Sequence, residues 1–474
     1  MNSRINSLIY VLGEIFSRVV KFLGTLLIAR LVGASGFGII SYLSSVSQYF
    51  GFLDFGYTTF VLSESNRSVN KYNYFKIQSI RTITALIGSL CFIILVLFLT
   101  NDLLYRFVAI VFSVIIIAQA WNSNWIFTAS GNARISGITR MSDGVFFISF
   151  AVFLWIIKSN NNIPLAACAT LIGMLSVAIL SNSFGVIKIN KSQDEHTNYK
   201  FKFIIKKSFP LSLSMLLITA YNTVDTLILQ FYWGSKIVGA YSIAYKIVQF
   251  FISIGTIYAQ SLVPYFRNFI DNDDWSSISK IIEYGFVIIA FLSAPLIFTV
   301  YNLRYLVLLI FGSSFLLASS TFPILILSVP MITAYALLNS ILIASQRSNI
   351  IIKITLIGVI LDTVVSILMI PKYGMVGGGV ATLFCEFAIL VAEILMLKKF
   401  INFSNIIFNV KILKIILISL ISELIYLGIK MNFNIWINEL FFLIFYFVVV
   451  ILIIKDIRNG LVQIYSYIKK KTKL

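Results

Sequence analysis

Apolar runs about twenty residues long recur from one end of this chain to the other, and each is long enough to cross a bilayer core as a helix. Composition agrees: of 474 residues 59% are hydrophobic and 12% charged, against roughly 25% charged in a soluble domain. The runs are continuous rather than short and alternating, which excludes a β-barrel. The first run carries Glu14, Arg18 and Lys21 and lacks a small-residue cleavage site, so it reads as a membrane span rather than a signal peptide. The chain is predicted to be an all-α polytopic membrane protein.

We place fourteen spans near 6–29, 38–62, 81–99, 107–128, 142–157, 165–187, 209–231, 238–262, 284–301, 322–344, 354–370, 378–397, 412–429 and 438–454. With the N-terminus inside, the external segments hold only Arg30, Arg106, Lys158, Lys236, Arg304, Lys372 and Lys430, while most of the 37 Lys and Arg fall on the other side. Basic loops stay in the cytoplasm, so both termini are expected there. This bias explains the net charge of +19 without a nucleic-acid partner. The "KKKTKL" tail is expected to lie near anionic headgroups. The 302–321 loop, with its apolar "YLVLLIFGSSFLLA", reads as an interfacial helix.

The sequence repeats itself. Under a shift of 201, "TLLIARLVGASGFGIISYLSSVSQYF" (25–50) lies over "TLILQFYWGSKIVGAYSIAYKIVQFF" (226–251). Gly33 falls on Gly234, Gly38 on Gly239, Ser41 on Ser242 and Gln48 on Gln249. "NWIFTAS" (124–130) and "LAACATL" (165–171) have similar echoes at 339–345 and 377–383. Six spans separate the copies, an even number, so the halves enter the membrane in parallel and are related by an axis along its normal. This predicts two pseudo-twofold six-helix lobes around a central cavity, plus two C-terminal helices. The lobes are 1–190 (spans 1–6) and 209–400 (spans 7–12), joined by a cytoplasmic linker at 191–208, with 401–474 holding spans 13–14 and the basic tail. The paired glycines read as tight outer corners between spans 1 and 2 and between spans 7 and 8; helix packing is the other reading open to them.

"LVGASGFGIISYLSSVSQYFGFLDFG" (31–56), "PLSLSMLLITAYNTVDTLILQFYWGSKIVGAYSIAYKI" (210–247) and "YGMVGGGVATLFCE" (373–386) resemble segments of Wzx-type polysaccharide repeat-unit flippases. These belong to the multidrug/oligosaccharidyl-lipid/polysaccharide exporter superfamily. The resemblance covers about 5–400. It implies a non-enzymatic transporter working by alternating access. The implied substrate is an undecaprenyl-pyrophosphate-linked oligosaccharide, moved from the cytoplasmic to the outer leaflet for O-antigen or other surface polysaccharide. It further implies a multi-pass protein of the bacterial inner membrane, with membrane lipids and other polysaccharide-assembly proteins as partners. No cofactor is implied beyond H+ or Na+ coupling.

Ionisable side chains inside spans are costly and are therefore functional candidates. Glu14, Arg18 and Lys21 share one face of span 1 at spacings of four and three. Glu14 and Arg18 can neutralise each other, leaving Lys21 to find a distant partner. Under the 201 shift Gly24 falls on Asp225, which predicts a Lys21–Asp225 bridge between twofold-related helices. Lys246 stands where the first copy has Ser45, and such an asymmetric cation suits a substrate with one anionic end. A pyrophosphate would be held by Arg18, Lys21 and Lys246. Arg30 is a further candidate, either for substrate or as a headgroup anchor. Tyr42 and Tyr245 are candidates for stacking on sugar rings. Glu14, Asp54, Asp225 and Asp362 are candidates for ion coupling or gating, or for pairing helices. Glu386, Glu393 and Glu423 lie on later spans and rank below them. Trp155, Trp233 and Trp436 fit an interfacial belt.

Cys91, Cys168 and Cys385 lie isolated in apolar runs and read as core residues. No CxxC or HExxH motif occurs, and His196, the only histidine, lies in a polar loop. Three other functions compete with the flippase reading. A polysaccharide polymerase or ligase would need a larger external loop with catalytic groups. A cation-coupled drug exporter would favour an acidic cavity. A lipid II flippase would share the fold and the cationic cavity.

Overall fold

A computed structural model describes residues 2–51, 71–129, 132–157, 162–189, 201–401, 403, 406, 409–429 and 435–454. These residues form α1 Asn2–Phe50, α2 Lys71–Leu99, α3 Leu103–Ala120, α4 Asn124–Ala129, α5 Ala133–Ile156, α6 Ile163–Ile189, α7 Phe201–Ser261 and α8 Val263–Asp271. They continue as α9 Trp275–Leu309, a 3-10 turn at Ser313–Ser319, α10 Phe322–Ile326, α11 Ser328–Ala344, α12 Ser348–Leu397, α13 Val410–Ile429 and α14 Ile435–Ile453. Among the described residues there is no strand. Among the described residues, nine stretches are long and apolar enough to cross a membrane. The protein is thus an all-α polytopic membrane protein.

Three helices are far longer than one crossing and each is broken once. The break in α1 is Gly33 (φ 64°, ψ −176°), in α7 Gly234 (φ 76°, ψ 177°), and in α12 Gly374 (φ 58°, ψ −134°). The first two lie in a region of backbone space open essentially to glycine alone. Each broken helix therefore contains two of the spans expected from the sequence, and the corner reading holds for Gly33 and Gly234. The inner end of span 2, with Asp54, lies outside the described residues, as do His196, Lys158 and most of the 191–208 linker.

The helices fall into two compact units. One comprises Met1–Phe250, Leu308–Thr321 and Thr355–Ala381; the other comprises Phe251–Val307, Phe322–Ile354 and Thr382–Leu474.

In the first unit, close backbone approach at glycines holds the helices together, as expected where lipid rather than water surrounds them. A Cβ on Gly13 would lie 2.5 Å from the Gly137 carbonyl oxygen, and one on Gly144 would lie 3.0 Å from Ser17 Cα. Gly38 and Gly239 behave differently from the corner glycines. A Cβ on Gly38 would collide with the Ser235 carbonyl oxygen, and one on Gly239 with the Ala34 carbonyl oxygen. Ala34 and Ser235 are themselves related by the 201 shift. The contact is therefore reciprocal, and the repeat's local twofold axis passes between these two glycines. Both readings of the glycine cluster hold, each for a different pair.

The 302–321 segment departs from the expectation of an interfacial helix. Helix α9 runs on to Leu309, and the chain then turns through Gly312 (φ 130°) into the 3-10 turn. Phe311, Phe315 and Ala318 are buried, and Ser314 Oγ accepts a hydrogen bond from the Ala34 amide at 3.1 Å. That amide opens the helix after the Gly33 corner and has no partner within the helix. The segment is a cap on the corner rather than a membrane-surface helix.

In the second unit, Ala259, Phe266, Ile278, Ile282, Leu338 and Ile341 form one core. Val287, Ile415, Ile418, Tyr446 and Val450 form another, joining α9, α13 and α14. The Tyr446 hydroxyl donates to the Phe291 carbonyl at 2.9 Å.

Candidate functional site

The Glu14–Arg18–Lys21 face of α1 turns toward α5. The glycines at 13, 137 and 144 bring the two backbones close enough for ordinary side chains to meet. Glu14 Oε1 accepts from Arg18 Nη2 at 3.0 Å, and Glu14 Oε2 accepts from Arg140 Nη1 at 2.6 Å. The Arg140 guanidinium also lies 5.7 Å from the centroid of the Tyr10 ring. One turn further along, Lys21 is ion-paired with Asp143.

The expected Lys21–Asp225 pair is therefore replaced by Lys21–Asp143. The 201 shift relates residues by symmetry, but a side chain pairs with whichever carboxylate packs nearest, and α5 lies against this face of α1. Asp225 is occupied elsewhere. Its Oδ2 accepts from the Tyr241 hydroxyl at 2.7 Å and its Oδ1 from Ser366 Oγ at 2.5 Å. Asp362, 3% exposed, lies one turn before Ser366 on the same face of α12. This polar cluster thus links the two halves of α7 to the first half of α12.

Sequence reading missed Arg140 because span 5 was begun at 142, two residues after it, and passed over Asp143 at the very start of that span, where "ARISGITRMSDG" with its two glycines and three charges resembles a loop. Their i,i+3 spacing, the complement of the 14/18/21 spacing, is the signal that would have found them.

Lys246 rises from an otherwise buried stretch of α7. Ile243, Ala244, Ile247 and Val248 are at most 4% exposed, whereas Lys246 itself is exposed. Its ammonium lies 5.8 Å from the Phe37 ring centroid and within electrostatic reach of Lys21. Lys21 and Lys246 each stand twelve residues from the corner glycine of their own helix, a distance of roughly 18 Å at helical rise. Aromatic side chains surround the region: Phe22 lies 5.3 Å from Phe250 and 5.8 Å from Phe311, and Phe37 lies 6.2 Å from Phe315. Four cations (Arg18, Lys21, Arg140 and Lys246) thus face two carboxylates (Glu14 and Asp143). The imbalance favours an anionic guest.

The remaining candidates are dispersed. Arg30 Nε donates to the Ile310 carbonyl at 2.6 Å, in the capped corner. Tyr42 meets Tyr105 edge-on at 6.4 Å, and the Tyr105 hydroxyl accepts from Gln230 at 3.0 Å. Tyr245 stacks on Tyr241 at 6.2 Å with the rings 9° apart. Trp233 is not simply a belt residue: its indole donates to the Ile370 carbonyl at 2.9 Å and covers Gly374. In the second unit, Glu386, Glu393 and Glu423 are buried at 2%, 1% and 8% exposure.

Comparison with known proteins places this architecture. The model of a family described as "Polysaccharide biosynthesis protein" matches residues 3–269, and the MatE family model matches residues 210–368. Two flippases of Haloferax volcanii are similar in sequence. The probable flippase AglR is 24% identical over 44% of this chain and 45% of its own length. The probable low-salt glycan biosynthesis flippase Agl15 is 21% identical over 78% of each. Among solved structures, the lipid II flippase MurJ in an inward closed conformation superposes with a TM-score of 0.71 at 14% identity, covering 95% of this chain and 99% of that one. An inward-facing multidrug resistance MATE family transporter gives 0.63 at 11% identity, over 81% of this chain and 95% of that one. The repeated spans, the glycine corners and the matched family model lead to one conclusion: the chain belongs to the polysaccharide biosynthesis protein family and has the fold of the MurJ and MATE structures.

Proposed function

We propose that the protein moves an undecaprenyl-pyrophosphate-linked oligosaccharide from the cytoplasmic to the outer leaflet of a cytoplasmic membrane, supplying O-antigen or another surface polysaccharide. The observation that carries this reading is the excess positive charge around Lys246, whose ammonium lies by the Phe37 ring and within electrostatic reach of Lys21 inside membrane helices. Charge is costly there unless something anionic meets it, and a pyrophosphate supplies the missing counter-charge. Arg18 and Arg140 extend the cationic face, while Arg30, Tyr42 and Tyr245 are the residues assigned to sugar contact in this reading. Asp225 and Asp362 form the coupling site for H+ or Na+, whose binding would compete with the hydroxyl donors Tyr241 and Ser366. The Glu14 and Asp143 bridges act as gates, exchanging partners as the substrate's phosphates arrive.

The test is Lys246→Ala in a host whose surface polysaccharide depends on this protein. At unchanged protein abundance, polysaccharide should fall about tenfold or more, since a hydrogen bond to a charged group contributes ~1.5–3 kcal/mol. Lys246→Arg should retain part of the activity. Normal polysaccharide in the alanine variant would refute the assignment. Rescue of cells depleted of lipid II flipping, without restoration of other glycans, would move the substrate to lipid II.

A further inference from the structure

One carboxyl buried in the second unit takes no part in the proposed transport site. Glu393, on the second half of α12, is 1% exposed. Asn339 of α11 donates its side-chain amide to it. Apolar side chains of one core surround the pair: Leu390, Ile394 and Leu397 flank Glu393 on α12, and Leu338 and Leu342 flank Asn339 on α11. Glu393 Oε2 and Asn339 Oδ1 are both buried with no hydrogen-bond donor among the described residues.

The helices packed around this core carry charge, but none of it acts on the pair. Arg267 and Asp271 on α8, Lys280 on α9, and Lys353 and Glu386 on α12 are absent from the groups that influence Glu393. Glu283 on α9 pairs with Lys411 instead. A carboxylate so desolvated and without a counter-charge takes up a proton rather than bear the cost of burial. Both orphaned atoms are acceptors, so what the pair lacks is a hydrogen. A protonated carboxyl supplies one, being donor and acceptor at once. A hard cation would need a shell of about six oxygens, and aliphatic side chains occupy the surroundings.

The repeat marks the same position. The echo of 124–130 in 339–345 lays Asn124 over Asn339, and the echo of 165–171 in 377–383, continued along the helix, lays Ser181 over Glu393. In the first unit this node is neutral. Asn124 Oδ1 accepts from the Thr139 hydroxyl at 2.6 Å, and Ser181 Oγ accepts from the Ser123 amide at 2.9 Å. The second copy has a titratable acid where the first has a hydroxyl.

We propose that Glu393 holds a proton, making its contact with Asn339 between α11 and α12 a proton-binding site separate from Asp225 and Asp362. The neutral acid donates to Asn339 through its hydroxyl and accepts from it through its carbonyl. The proton leaves when water reaches the pair, so a loaded Glu393 favours the packing of α11 on α12.

The experiment is infrared spectroscopy of the full-length protein in lipid nanodiscs at neutral pH. Glu393→Gln, which keeps the shape and two-way pairing of the neutral acid, should lose one protonated-carboxyl band present in the wild type. Asn339→Leu, which keeps the acid, should shift that band to higher wavenumber, because a carbonyl that loses a hydrogen bond absorbs there. Identical carboxyl bands in the wild type and Glu393→Gln would overturn the proposal, since the acid would then be ionised. So would a band unmoved in Asn339→Leu. A band that vanishes when sodium replaces choline at fixed pH would also overturn it, assigning the site to an alkali cation. If the glutamine variant does not accumulate, Asn339→Leu and the sodium exchange decide by the same criteria.

Discussion

Lys21 and Asp143 meet because glycines at 137 and 144 let α5 lie against α1. Removing one member of a fully buried pair costs about 3–5 kcal/mol; this pair is partly accessible, so about 1–2 kcal/mol is expected for Lys21→Ala or Asp143→Ala. The double substitution should cost less than the sum of the singles, measured as thermal midpoints of the purified protein, and strict additivity would mean that the pair contributes no coupling. Arg140→Ala should weaken transport more than Arg30→Ala, because Arg140 joins the Glu14 cluster whereas Arg30 is spent on a backbone carbonyl; flipping of a lipid-linked glycan into proteoliposomes would rank them. At this scale the sequence disclosed one half of the site. Glu14, Arg18, Lys21 and Lys246 stand out because charge inside an apolar run is conspicuous. Arg140 and Asp143 do not stand out, since glycine and serine around them lower the local hydropathy and make a helix end look like a loop.

The broken helices were legible for a physical reason: a repeated glycine that both ends one helix and starts another is a backbone requirement, visible wherever the chain repeats it. Gly374 lies outside the 25–50 and 226–251 echo, and its corner was passed over. The two glycine roles predict different consequences. No atom lies within 4 Å of a Cβ built on Gly234, so Gly234→Ala should lose only backbone freedom, about 1–3 kcal/mol. Gly38→Leu and Gly239→Leu collide with a carbonyl that cannot move independently of its helix, and each should prevent folded protein from accumulating. Fluorescence-detected size exclusion of tagged variants separates these outcomes, and a monodisperse Gly38→Leu protein would contradict the reciprocal contact. The docked 3-10 turn escaped sequence reading because an apolar loop has the same composition whether it lies on lipid or caps a helix.

Across the molecule, the recurring apolar runs disclosed the all-helical, multi-pass class, while the distribution of Lys and Arg predicts an orientation. Reporter fusions after residues 196 and 474 should both be cytoplasmic, and an external signal from either would reverse the assignment. The Gly38–Gly239 contact has a consequence for symmetry. Each copy touches the other at the residue that corresponds to its own, which is how two identical subunits meet across a twofold axis. Two separate identical chains meeting in this way would have to carry a lysine at both equivalent positions or at neither. Within a single chain the copies need not match, and Lys246 opposite Ser45 uses that freedom.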